Sequence, residues 1–568
     1  MVEFKKELEI DEKINKLNSL TRVLSIVRLI LAINLIIWVI CAFSYLGMYI
    51  YIAIASFVVM LLFLFFSNKA YVSLSFYKKK KDVYVSHKRR RELKLNYFTD
   101  NGKEFLNKED YKLADLDIFG KGSLFQYLNV AKTKPGRELL ANSLKNNVNN
   151  PKEYPNTILA MSNENIVDIE ASLLEFKDNA RNVDYEEYTS VLGKKIEFKL
   201  MFLMPLFSLI ATIVYLIISL VNHYNLLPVL FLVIATIVLS KMFLDNDVFR
   251  LDASKYYSLS SAYYNLSKTI INTNFDDEYY KKLQETISSR LDDLKRFKTI
   301  YSWLLTRKNL VVNLVLNIFA YDFFMIIFYN SFIKATLDLE DLFKAIAEIE
   351  VLTSFTTISV DNEVYSKPTL SDKISAKNMY HPLVKNCVKN DFEITGGVVL
   401  TGSNMSGKTT FMRTLGINQI LANANALCFA ESFATGYYNI YTSLRANDML
   451  QEGISTFYAE ILRMKKANEA IKNEKCLILI DEIFKGTNAY ERISASFKVI
   501  DKFNDYKALF IISTHDFELC EAKNITNYHF NEDYDDDNKI SFDYKIKEGK
   551  CASKNALYLL KMANIIED

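Results

Sequence analysis

Residues 29–68 carry no Asp, Glu, Lys or Arg, and neither do residues 200–240. A helix advances about 1.5 Å per residue, so about 20 residues cross a hydrocarbon layer of roughly 30 Å. Each stretch is therefore long enough to cross twice, with turns expected near residues 44–49 and 222–225. A third apolar stretch, residues 309–333, contains Asp322 and several Asn residues. A crossing there would make the number of spans odd, so it is expected as a buried helix of the soluble part. Residues 247–304 hold no Gly or Pro. Within them, "YYKKLQETISSRLDDLKRF" repeats apolar positions at helical spacing and predicts long amphipathic helices. From about residue 370 the pattern changes. Short apolar runs ("GGVVLTG", "ALCFA", "CLILIDE", "ALFIIST") alternate with helical segments, which predicts an α/β domain with a largely parallel sheet. Near the end, "NYHFNEDYDDDNKISFDYKI" reads as two strands joined by an acidic turn.

These patterns divide the chain into an N-terminal helix (1–28), a first membrane hairpin (29–68), and a basic linker with a helical core (69–199). A second hairpin (200–241), lever-like long helices (242–365) and the α/β domain (366–568) follow. Composition adds little at the scale of the whole chain. The net charge of +2 neither favours nor excludes nucleic acid. Locally, "KKKKDVYVSHKRRR" at 78–91 follows the first hairpin, and basic flanks stay cytoplasmic. Both hairpins would then leave and return, placing all large segments in the cytoplasm of a multi-pass cell-membrane protein. The run is also suited to anionic lipid headgroups, with DNA phosphate as the competing partner. The six cysteines are scattered without metal-ligand spacing and read as reduced thiols. The first 28 residues are polar and charged, unlike a cleavable signal peptide.

The chemistry lies in the α/β domain. Gly402-Ser403-Asn404-Met405-Ser406-Gly407-Lys408-Thr409 satisfies G-x-x-x-x-G-K-[ST], between an apolar strand and a helix, with Thr410 following. Its glycines let backbone N–H groups curl round phosphates, and the helix presents its positive end. Lys408 is expected on the β- and γ-phosphates of ATP. Thr409 is expected on Mg²⁺. The strand "CLILIDE" ends in Asp481, a second metal partner through water, and Glu482, which would polarise the attacking water. His515 follows a later apolar strand, where it is placed to sense the γ-phosphate or orient water. Phosphate loop, paired acids and later His form the general layout of ABC-type ATPases.

The motifs carry a closer resemblance. "TGSNMSGKTTFMRTLG" resembles the T-G-P-N-M-G-G-K-S-T loop of the MutS family of DNA mismatch-repair ATPases. "GISTFYAEI" (453–461) is similar to that family's G-x-S-T-F-x-x-E segment, "DEIFKGTN" to D-E-I-G-R-G-T-S, and "STHDFEL" to A-T-H-x-x-E-L. "HPL" (381–383) and "DLDIFGKGSLFQYLNVAKTKPGRELLANSL" (115–144) are similar to the strand before the ATPase and to the start of the helical core. The resemblance implies a dimer formed through the ATPase domains, with Gly453, Ser455 and Thr456 capping ATP bound by the opposite subunit. It implies an α/β ATPase domain joined to an all-α core and lever domain, here with two transmembrane hairpins added. Departures are Ser403 for Pro, Ser406 for Gly, and Phe484-Lys485 for Gly-Arg. A short helix and a hairpin stand where the family has a mismatch-reading domain and connector. The second hairpin stands where the family inserts its DNA clamp, and a nuclease domain is not expected after the ATPase.

The expected function is thus a membrane-anchored MutS-like ATPase with composite dimer sites, coupled to the bilayer and to DNA. The alternative is an ABC-type transporter, or a mechanical ATPase acting on a membrane substrate without DNA. An L-S-G-G-Q signature is absent before Asp481, which counts against transport.

Overall fold

The computed structural model describes residues 7–45, 48–107, 110–176, 203–222, 227–242, 253–333, 339–444, 456–484, 488–534 and 540–550. Helices α1 (Glu7–Tyr45) and α2 (Met48–Arg91) form an antiparallel hairpin. Pairs along its length fix the register: Lys81 donates to Asp11 at 2.6 Å, Ser56 donates to Asn34 at 3.2 Å, and Trp38 stacks on Tyr49. Neither helix breaks at residue 28 or 69. The expected N-terminal helix is the start of α1, and the expected basic linker is the end of α2. The physical reason is that neither 7–45 nor 48–91 contains a Gly or Pro to interrupt a helix. Both helices are long and apolar enough to cross a membrane, and their most apolar windows are 0% and 6% buried within the protein.

The helical core begins with α3 (Tyr111–Asp115), α4 (Leu124–Leu128), α5 (Lys134–Lys145), α6 (Tyr154–Met161) and α7 (Ile166–Leu173). The second apolar pair is α8 (Met204–Asn222) and α9 (Leu227–Met242). It is tied by Thr236, whose hydroxyl donates to Ser208 Oγ at 2.8 Å. The uninterrupted helical pattern of 247–304 is divided into α10 (Ala253–Asn272), α11 (Glu278–Ser289) and α12 (Leu291–Lys308). The Asp277 side chain starts α11 by accepting from Tyr280 N at 2.9 Å, a cap that forms without glycine or proline. The third apolar stretch is two short helices, α13 (Leu310–Asn317) and α14 (Tyr321–Ile333). It is not the fully buried helix expected, because Val315, Phe319, Phe324 and Ile327 are exposed.

The core is organised on α15 (Glu340–Asp361), which is buried on every side from Phe343 onward apart from a few positions. Its hydroxyls tolerate this by bonding backward: Thr353 to Ile349 O, Ser354 to Glu350 O and Thr356 to Leu352 O, at 2.7–2.8 Å.

The α/β part contains β1 (Pro368–Leu370), β2 (Ile374–Met379), β3 (Asn390–Ile394), β4 (Gly397–Thr401), β5 (Ser432–Thr435) and β6 (Asn439–Ser443). It continues with β7 (Cys476–Asp481), β8 (Leu509–Ser513), β9 (Ile525–Phe530), β10 (Asp533–Tyr534), β11 (Ile540–Ser541) and β12 (Ile546–Glu548). Its helices are α16 (Lys408–Asn423), α17 (Thr456–Ala470) and α18 (Ala489–Asp505). The main sheet runs β12-β9-β4-β8-β7-β6, parallel except for β12. A four-stranded sheet, β1-β5-β2-β3, lies beside it. "ALCFA" (426–430) is buried but forms no strand, making only an isolated bridge between Cys428 and Ser366. The strands fall just after it, in β5 and β6.

Candidate active site

The site lies at the carboxyl ends of parallel strands β4, β7 and β8, where an open α/β sheet places its ligands. After β4 the chain turns sharply. Gly402 has φ 143°, Met405 φ 68° and Gly407 φ 107°, and α16 starts at Lys408. A Cβ on Gly402 would lie 2.9 Å from the Phe530 carbonyl oxygen, so the turn needs glycine there. Met405 is 87% exposed, with its side chain outside the loop.

Lys408 folds back on the loop, donating to Gly402 O at 2.7 Å and Ser403 O at 2.8 Å. Thr409 Oγ1 donates to Asp481 Oδ2 at 2.5 Å, and Ser513 Oγ donates to Asp481 Oδ1. Asp481 ends β7 beside Ser513 of β8 in the ladder, so the sheet itself sets this pairing. Glu482 follows in a left-handed conformation (φ 56°), its N–H bonded to Ser513 O at 3.0 Å. His515 Nε2 is 3.0 Å from Asn404 Oδ1 and 3.5 Å from Glu482 Oε1. One histidine therefore touches both the phosphate loop and the second acid.

A cavity of about 550 Å³ opens here. Ser403, Asn404, Met405, Ser406, Gly407, Lys408, Thr409 and Thr410 line one side, Asp481 and Glu482 another, and Tyr380, Phe530 and Tyr544 the far wall. The buried hydroxyls of Ser403 and Ser406 have no hydrogen-bond partner among the described residues. Orphan hydroxyls, curled N–H groups and a lysine make a donor-rich cradle for phosphate. The Thr409 hydroxyl beside the Asp481 carboxylate offers hard oxygen ligands suited to Mg²⁺. The donor set fits a nucleotide with its metal.

Every cis-acting residue expected from the sequence is brought to this cavity, with Gly402 forming the turn behind it and His515 at the edge. Gly453 and Ser455 lie outside the described residues; Thr456 begins α17. Three features gave no local signal. Ser513 fixes Asp481 across the sheet. Arg492 holds Asp516, next to His515, through two bonds of 2.7 Å. The far wall comes from distant loops and from Tyr544, for which the sequence offers only an aromatic residue in a polar context.

The site is coupled to the helical core. On α16, Arg413 Nη1 donates to Asp117 at 3.0 Å. Gly416 lies so close to Leu116 that a Cβ would meet its side chain at 2.7 Å. Asp115 is buried and accepts from Thr442 Oγ1 at 2.8 Å and Leu444 N at 3.0 Å, with Arg463 of α17 at 3.4 Å. The Asp115 segment therefore wedges between the phosphate-loop helix and the helix that Thr456 begins.

Residues 398–568 match the family described as MutS domain V. Three proteins named DNA mismatch repair protein MutS are similar over the same end of the chain. The one from Bacillus cytotoxicus is 33% identical over 246 residues, 40% of this chain and 27% of the relative. The one from Caldicellulosiruptor bescii is 32% identical over 245 residues, 39% and 28%. The one from Bacillus mycoides is 30% identical over 248 residues, 40% and 27%. The chain thus spans little more than a quarter of the length of the curated relatives it matches.

Proposed function

The chain belongs to the MutS family through its domain V, and from that premise we propose that it is a membrane-anchored ATPase hydrolysing ATP with Mg²⁺. The observation that carries this is the contact of Thr409 with Asp481, held at 2.5 Å beneath a loop of orphan donors. In the proposed cycle Lys408 leaves the Gly402 and Ser403 carbonyls for the β- and γ-phosphates. Thr409 and Asp481 would hold the metal. Glu482 orients the water and draws its proton, and His515 bridges Glu482 to Asn404 so that the acid registers the filled loop. Bound Mg²⁺ supplies neutralisation of the phosphate charge.

Gly453, Ser455 and Thr456 would cap the nucleotide of a partner subunit, making the unit a homodimer with composite sites. The anchors are α1–α2 and α8–α9, whose apolar side chains face outward, among them Ile30, Ile54, Phe207 and Phe231. Lipid is the medium that such faces require. The relatives' name, DNA mismatch repair protein MutS, supports DNA as a partner of this ATPase.

The test is hydrolysis by the full chain in liposomes. Glu482→Gln should retain ATP and lower turnover by about 10²–10⁴-fold, the usual contribution of a positioned base. Unchanged turnover would refute the assignment. A gel shift with homoduplex, mismatched and branched DNA at two salt concentrations tests the DNA arm, since phosphate contacts weaken steeply with salt.

A further inference from the structure

Residues 309–333 were the one apolar stretch expected to be internal, yet they expose a continuous apolar face. Phe319 is 66% exposed and Phe324 50%, with Val312, Val315 and Ile327 beside them. Their single charge is turned inward. Asp322 is 1% exposed and accepts from Trp303 Nε1 at 3.0 Å and Asn317 Nδ2 at 3.1 Å. The Arg307 guanidinium stands 3.3 Å away, at the foot of the stretch.

The path of the chain is equally informative. From Leu291 to Lys308 it runs up α12, turns through α13, and comes back down α14. Trp303 meets Asp322 and Tyr329, while Phe297, further down α12, meets Phe332 at 5.3 Å. The turn is made at Ala320, with φ 51°. Eight and thirteen residues rise about 12 and 20 Å as helices, too little to cross about 30 Å. Both α13 and α14 pack on α9 of the second hairpin. Arg307 and Lys308 precede the stretch in the chain and Lys334 follows it, so basic residues flank it in sequence on both sides.

We propose that residues 309–333 are a re-entrant membrane element. It enters the bilayer beside α8–α9, exposes Val315, Phe319, Phe324 and Ile327 to acyl chains, and returns to the side it left. The Asp322 cluster of Trp303, Arg307, Asn313 and Asn317 closes its inner face, so that the stretch's own carboxylate does not reach lipid. This rests on the anchored reading above. It also preserves an even number of crossings, which keeps the ATPase domain on the side of the α1 N-terminus.

The chain has only two tryptophans, Trp38 in the first hairpin and Trp303, which is buried. Fluorescence of the full chain is measured in phosphatidylcholine vesicles with and without bromine on the acyl chains. The proteins are the native chain, Trp38→Phe, and Trp38→Phe/Phe319→Trp, with equal melting temperatures as the check on folding. Quenching of the added Trp by brominated lipid to the extent seen for Trp38, with protection from aqueous iodide, is the expected result. Quenching of Trp38 alone would overturn the re-entrant element and leave the hairpins standing; the added Trp would then be in water if iodide reaches it, or against protein such as a second copy if it does not. Trp38 unquenched would overturn the anchored reading itself.

Discussion

Gly136, in the first turn of α5, has no room for a side chain: a Cβ there would lie 2.1 Å from Glu350 Oε2. Glu350, on largely buried α15, accepts from Lys132 N at 2.7 Å and Thr133 N at 3.0 Å and takes the Thr133 hydroxyl as well. Burial pushes its carboxyl up to about 7, against these bonds, which pull it down. An acid raised on folding binds its proton more tightly in the native chain. Its contribution is full below about 4.5, the unfolded value, and is lost as pH rises through 7. Stability should therefore fall from pH 5 to 7.5, by at most about 1.4 kcal/mol per pH unit, which a falling melting temperature reads out, and Glu350→Gln should flatten that slope. Phe484 gives a second residue-scale test, standing where the family has glycine, with φ 57° and its ring 9% exposed. Phe484→Gly relieves about 1–2 kcal/mol of left-handed strain but gives up a buried ring worth about 3–5 kcal/mol. Calorimetry should show a net loss, and a stabilised variant would mean that the strain dominates. The phosphate loop and Asp481-Glu482 were legible because each motif is contiguous. Ser513, Arg492 and Glu350 were not, since their roles arise from partners brought near only by the fold.

The basic end of α2 is where reading by element and reading by sequence part most. A run of Lys and Arg after an apolar helix reads as topology or headgroup contact, but much of it meets the chain's own acids. Lys79 pairs with Glu175 at 3.2 Å and Lys80 with Asp168. His87 is fully buried between Asp361, at 2.9 Å, and Glu170, at 3.2 Å, while Arg91 reaches Asp361 at 3.1 Å. Arg90 Nε donates to Tyr127 O at 3.0 Å. A helix of 44 residues is about 66 Å long, about twice the hydrocarbon core of a bilayer, and its polar half serves as a post bolted to the end of α15. His87→Phe removes the group between two buried acids and should cost about 3–5 kcal/mol. Exposed Lys88→Ala should stay within about 0.5 kcal/mol. Equal effects in thermal melts would make the cluster no joint at all. The hairpins were legible from charge-free length alone. The breaks in 247–304, the strands after "ALCFA" and the return of α14 were not, because a side-chain cap, a neighbouring strand and an inward aspartate decide them.

Across the whole molecule, packed contacts lead from the phosphate loop to the first apolar hairpin. The phosphate-loop helix α16 grips the Asp115 segment and α5, with Asn146 Nδ2 at the end of α5 donating to Ile420 O at 3.2 Å. Helix α5 sits on Glu350 of α15, and α15 ends at Asp361, which holds α2. Closure of two ATPase domains would be felt at the hairpins through these joints, provided that the second half of each site comes from the partner. That condition has its own test. Lys408→Ala removes the phosphate lysine of a chain's own site. Ser455→Ala/Thr456→Ala removes the cap that the chain offers its partner. Each homodimer should be inactive, because every site carries one defect. In a mixed dimer one site carries both defects and the other carries none. With random pairing at equal amounts, half the dimers are mixed and half of their sites are intact, so turnover should recover to about a quarter of the native rate for a two-fold symmetric pair. No recovery at any mixing ratio would place the G-x-S-T segment and the phosphate loop of each site in the same chain, and the dimer would then have to be held by something other than ATP.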